Sequence, residues 1–133
     1  MTIQYLKRLK ATPTVWDEDE DDVMELKGCS VEEIETLENR ISKKFPLAYK
    51  EYLYLAGKDN CFFGNAVDYS YKQLEDIQTN CKAYLQEESI DLGKDFWVID
   101  SYLAEQFHLF ILTKEIIRWF ITSVIPVRKK KGI

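Results

Sequence analysis

The chain has 133 residues, 46% of them apolar and 31% charged, with a net charge of −5. That length and balance suit a single soluble domain with a real core. They exclude a membrane-crossing helix, since no window approaches the roughly 18 apolar residues required. They also argue against a nucleic-acid binder. Four basic residues, Arg128, Lys129, Lys130 and Lys131, cluster at the C-terminus, and without them 14 basic residues face 23 acidic ones, a body of −9. Phosphate binding needs Lys and Arg to displace counterions, whereas an acidic body speeds encounter with a basic partner.

In chain order, Ile3, Leu6 and Leu9 recur at helical spacing, with Tyr5 beside them, and Pro13 ends the segment. Lys7, Arg8 and Lys10 interrupt any signal-peptide core, so we expect a cytoplasmic protein. Asp17, Glu18, Asp19, Glu20, Asp21 and Asp22 form an unbroken acidic run. Like charges repel, so the run reads as a solvated loop or the start of a helix.

Ser30 and Glu33 have capping-box spacing, and Ile34, Leu37 and Ile41 continue as an apolar stripe. Pro46 suits the first turn of a second helix, whose stripe is Tyr49, Tyr52, Leu53 and Ala56. Gly57 is positioned to stop it in a left-handed conformation. Cys61 to Gly64 reads as a short strand or strand-like turn, and Asn65 to Tyr71 as a loop. Leu74, Ile77, Cys81, Tyr84 and Leu85 predict a helix over 72–88 that ends near Gly93.

The runs 96–99 and 108–112, rich in β-branched and aromatic residues, predict a strand hairpin. Residues 116–125 read as a further strand, or as a helix, ended by Pro126. The order predicts an α+β fold, with helices packed against one face or end of a mostly antiparallel sheet.

Few residues invite chemistry. Cys29, Cys61 and Cys81 are odd in number and form no CxxC pair, so they read as free thiols. His108 lies within a predicted strand; a Ser-His-Asp reading would draw in Ser101 and Asp100, but no GxSxG elbow marks a nucleophile. Asp17, Asp19 and Asp21 open like a calcium loop, yet Asp22 and Gly28 stand where that loop needs glycine and glutamate. Asp68, Asp100 and Glu105 lie near aromatics, as some of so many acids must. No phosphate-cradling glycine loop is present. The reading is therefore non-enzymatic, with no catalytic residues, no cofactor and no metal.

Aromatics beside acids suit a protein interface: rings supply buried area and carboxylates supply steering. The candidate contact residues are Asp17 to Asp22, Asp59, Phe62, Phe63, Asp68, Tyr69 and Tyr71.

The helix-pair motif resembles the first half of the SUKH superfamily, which contains fungal cell-wall-synthesis regulators and many bacterial immunity proteins. The matching residues are Ile34, Leu37, Glu38, Pro46, Tyr49, Leu53 and Gly57, with Ala56-Gly57 standing where asparagine-glycine is commoner. Phe96-Trp97-Val98 and Gln106-Phe107-x-x-Phe110 resemble the family's central strands, so the likeness spans about residues 1–112. It implies an α+β fold and a cytoplasmic immunity protein that neutralises a cognate polymorphic toxin, often a nuclease. It implies no catalytic residues; charge and hydropathy argue against a nucleic-acid or membrane partner, and a sheet edge bared by an altered ending would make the protein a monomer or weak homodimer. A general intracellular adaptor is the alternative. Thr113 to Ile133 does not look like the family's usual ending.

Overall fold

A computed structural model describes residues 1–63, 66–112 and 119–124. The expectations for 113–118, for the basic tail and for Gly64 and Asn65 lie outside those residues. The fold is α+β, and every strand pair is antiparallel. The chain forms two compact units, Met1–Asn65 with Ser70–Lys72 and Ala66–Tyr69 with Gln73–Ile133.

In the first unit, helix α1 (Lys7–Ala11) is followed by strands β1 (Thr14–Asp17) and β2 (Asp22–Glu25), then by helices α2 (Val31–Ile41) and α3 (Leu47–Ala56). The capping box forms as predicted. Ser30 Oγ accepts the Glu33 N–H at 3.1 Å, and Ser30 N–H donates to Glu33 Oε1 at 3.0 Å. Lys58 Nζ also reaches Glu33 Oε1, at 2.8 Å, and holds that carboxyl below its usual range. Pro46 occupies the N-cap of α3. Ile34, Leu37, Phe45, Tyr49, Leu53 and Ala56 fill the core between α2 and α3.

Two acids on these stripes are buried, which the sequence reading missed. Glu38 accepts the Phe45 N–H at 2.7 Å, and its other oxygen faces Lys50 Nζ at 3.1 Å as an ion pair. Glu51 is fully buried and accepts the backbone N–H groups of Gln4 and Tyr5, which pins the N-terminal segment to α3. A buried carboxylate is tolerated because donors replace its water.

Gly57 departs from expectation. Its φ is −68°, a right-handed conformation, so it is not there for backbone freedom. A Cβ would lie 2.6 Å from Leu53 O and 2.8 Å from Cys29 Sγ. Gly28 is tighter still: its Cβ would fall 1.6 Å from Tyr54 O. Both glycines let segment 27–29 run against the C-terminal end of α3, where Cys29 N–H donates to Leu53 O at 2.8 Å.

The acidic run is a solvated turn rather than a helix start, and it closes the β1–β2 hairpin, with Asp17 and Asp22 at the strand ends. Asp17 Oδ1 accepts the N–H groups of Asp19 and Glu20, and Asp21 adopts a φ of 49° that aspartate tolerates. Residues 61–63 form a bend rather than a strand, with Cys61 left-handed at φ 59°.

In the second unit, β3 (Val67–Asp68) falls inside the expected loop. After a 3-10 turn (Tyr71–Gln73), which runs from the first unit into the second, come α4 (Leu74–Glu87), β4 (Phe96–Tyr102), β5 (Gln106–Leu112) and β6 (Trp119–Val124). The sheet order is β3-β4-β5-β6. Helix α4 ends earlier than predicted, through Ser89 at φ 56° rather than at Gly93. Leu74, Ile77, Cys81 and Leu85 of α4 are buried, as are Val98, Phe107 and Leu109 of the sheet. Gln78 locks helix to sheet: its amide donates to Val98 O and accepts the Val98 N–H, both at 2.8 Å. That amide does for β4 what a neighbouring strand would do.

The two kinds of glycine should separate on mutation. Gly28→Ala forces a side chain into backbone and should cost about 3 kcal/mol or more. Gly93→Ala meets open space and only strains a φ of 64°, so it should cost about 1 kcal/mol. Urea unfolding of both variants checks the order.

Candidate functional site

The hairpin is held at its base and exposed at its tip. Leu26 N–H donates to Pro13 O at 3.0 Å, and Lys27 and Asp59 exchange backbone hydrogen bonds at 2.9 and 3.0 Å. The Cys61 thiol donates to Glu25 O at 3.3 Å, so the 59–63 bend lies beside the end of β2.

Side chains alternate between the two faces of this ribbon. Val15 and Met24, opposite one another, are half-buried. Trp16 and Val23, the next opposed pair, project from the other face and are 57% and 48% exposed. Directly beyond them the exposed Glu18 to Asp22 close the turn. An exposed tryptophan–valine pair next to an acidic turn sets an apolar patch beside a cluster of negative charge, an arrangement able to anchor and steer a basic partner.

The predicted contact residues divide. Asp17 to Asp22 share the hairpin turn, with Asp17 half-buried because its carboxylate organises the turn. Phe62 and Phe63 are 65% and 43% exposed, on a bend built by buried Asn60, whose Oδ1 accepts both their N–H groups. Asp59 is a structural residue; its carboxylate accepts the Cys61 N–H at 2.9 Å. Tyr71 is tied down at both ends, its N–H to Gly57 O at 2.7 Å and its hydroxyl to Glu33 O at 3.3 Å. Asp68 and Tyr69 belong to the other unit. Asp68 accepts from the Gln73 amide at 2.9 Å, and Tyr69 is buried, so it offers no ring to a partner.

Trp16 and Val23 were missed. The available signal was the alternation Val15-Trp16 before the acids and Val23-Met24 after them, which is short but has hairpin spacing.

The groups that invited chemistry are set apart. Asp100 and His108 are opposed on β4 and β5, with His108 Nδ1 2.7 Å from Asp100 Oδ1. Ser101, next along the strand, therefore points to the opposite face, where it is fully buried. Its hydroxyl cannot join that pair. Burial pushes the Cys29 thiol up to about 12 and the Cys81 thiol up to about 11, and it also raises Cys61. Thiolate chemistry is suppressed at all three. Among the described residues no group of His, Cys, Asp and Glu is arranged to hold a metal ion.

No family model matches this chain, and no curated protein or solved structure matches it either.

The thiols give a direct test of the packing. In the native protein at pH 8, a disulfide reagent should label Cys61 alone, slowly, and reach Cys29 and Cys81 only on unfolding. The two buried thiols also set a sign for alkaline stability. Their pKa values are raised in the folded state, so the unfolded chain loses protons first. Stability should fall as pH rises above 9.0, towards about 12. Thermal melts at pH 8 and pH 10, compared with a Cys29→Ala/Cys81→Ala variant, check that slope.

Proposed function

We propose that this chain is a SUKH-type immunity protein, which acts without catalysis by binding a basic polymorphic toxin, for example a nuclease, in the cytoplasm of the cell that makes both. The observation that carries the proposal is the Trp16–Val23 pair, exposed beneath the acidic turn of an anchored hairpin. A body of −9 outside the basic tail adds long-range attraction for a basic partner. The positions that carry the family resemblance support the same reading. Ile34, Leu37, Glu38, Tyr49, Leu53 and Gly57 are buried and Pro46 is half-buried, as scaffold positions should be. They leave the exposed hairpin free to differ from one toxin to the next.

In this reading the carboxylates steer the encounter and the tryptophan holds the complex. The hairpin occludes the toxin's active site or a neighbouring surface.

Calorimetry with the toxin domain encoded beside this gene, at two salt concentrations, tests the proposal: tight, salt-weakened binding supports it, and no binding by the folded protein overturns it. Two variants should then separate the roles. Asp19→Lys/Glu20→Lys/Asp21→Lys should slow association about tenfold at low salt and flatten its salt dependence. Trp16→Ala should leave association nearly unchanged and speed dissociation by about tenfold or more. Stopped-flow fluorescence reads the association rates of both, and surface-capture kinetics the dissociation rates.

A further inference from the structure

The ladder of the hairpin shows which backbone groups it leaves over. Hydrogen bonds in an antiparallel pair join directly opposed residues and alternate along the strands. Since Leu26 N–H bonds to Pro13 O, the bonded pairs are Val15 with Met24 and Asp17 with Asp22. The N–H and C=O groups of Thr14 and Trp16 therefore point away from β2, as do those of Val23 and Glu25 on the far side.

The β2 edge is half covered, at Val23 N–H and Glu25 O, and two of its four outward groups remain. Val23 N–H donates to Asp22 Oδ1 at 2.7 Å, and Glu25 O accepts the Cys61 thiol. In the second unit the Gln78 amide covers β4 at Val98. Along β1, nothing among the described residues bonds to the outward groups of Thr14 and Trp16. An edge of this kind pairs with another strand unless it is protected.

The flanking charges say which strand. Lys7, Arg8 and Lys10 are exposed just before β1, and Glu18 to Asp22 are exposed just after it. Neither group forms an ion pair among the described residues. One short strand thus carries a basic cluster at one end and an acidic cluster at the other, which is self-complementary in an antiparallel arrangement.

We infer that β1 is the seam of a two-fold symmetric homodimer, in which β1 of one copy pairs antiparallel with β1 of a second. With the axis at Val15, Thr14 faces Trp16 of the other copy and each pair exchanges both hydrogen bonds. The two acidic turns then lie beside the other copy's Lys7, Arg8 and Lys10. The two Trp16 rings sit diagonally across the axis, within reach of one another. The four-stranded ribbon carries the exposed Trp16 and Val23 of both copies on one face, so pairing enlarges that apolar patch while engaging the acidic turns. The dimer does not depend on the toxin reading.

Sedimentation equilibrium over an about hundredfold concentration range tests the seam. The wild-type mass should climb from 15.7 kDa towards about twice that value, less steeply at high salt. Thr14→Pro removes an outward N–H that the hairpin itself does not use, so it should remain monomeric with an unchanged circular dichroism spectrum. Lys7→Glu/Arg8→Glu/Lys10→Glu and Asp19→Lys/Glu20→Lys/Asp21→Lys leave the ladder intact. Each should be monomeric alone, and a mixture of the two should form a heterodimer. A wild-type protein that stays at 15.7 kDa throughout overturns the inference. So does a mixture that fails to associate, or a folded Thr14→Pro variant that dimerises like the wild type.

Discussion

The first unit depends on one close approach: the backbone at Gly28 lies against the carbonyl of Tyr54, with no room for even a methyl group. Gly57 makes the same concession one turn further on, against Cys29. Because the two segments touch backbone to backbone, Lys27 can pair with Asp59 and Cys29 can bond to Leu53. Those bonds fix the base of the hairpin on one side and the Phe62–Phe63 bend on the other. A hairpin with seven acidic residues of twelve, and with Trp16 and Val23 facing solvent, has little hydrophobic drive of its own. Here its rigidity is supplied by glycines that hold its root against a helix.

A rigid hairpin is useful to a binder. Exposing tryptophan to water is unfavourable, and a partner that covers it recovers that free energy. The surrounding carboxylates repel one another when free, and a basic partner relieves that repulsion while guiding its own approach. Anchoring the strands in advance lowers the ordering cost at the moment of binding. On the proposed reading, the buried helix pair and the exposed hairpin divide the work: one gives stability, the other recognition.

How much could be read in advance depended on how local each determinant is. The α2–α3 pair was legible because its signals lie within a few residues of each other: the Ser30–Glu33 box, two apolar stripes, and Pro46 at the junction. Helix α4 was legible from periodicity, and strands β4 and β5 from their β-branched and aromatic residues. The β1–β2 hairpin was not, because aspartate and glutamate are poor strand formers. The side-chain bonds of Asp17 that make the turn are a matter of geometry rather than composition. Gly57 was located correctly but explained wrongly. A glycine can be required for its φ or for its missing Cβ, and only the position of Cys29 decides between them. The burial of Glu38 and Glu51 was not legible for a similar reason, since a carboxylate reads as surface until its backbone donors are known. The acidic half of the candidate site was visible as a charge run, whereas its apolar half, Trp16 and Val23, became visible only with the strand register.

Amide chemical shifts of the isotope-labelled protein, recorded while the basic toxin domain proposed as its partner is added, locate the contact surface directly. If the hairpin is the recognition surface, the large perturbations fall within residues 14–25 and include the Trp16 indole N–H. Perturbations centred instead on the Asp100–His108 face of β4 and β5, with the hairpin unchanged, would contradict the account.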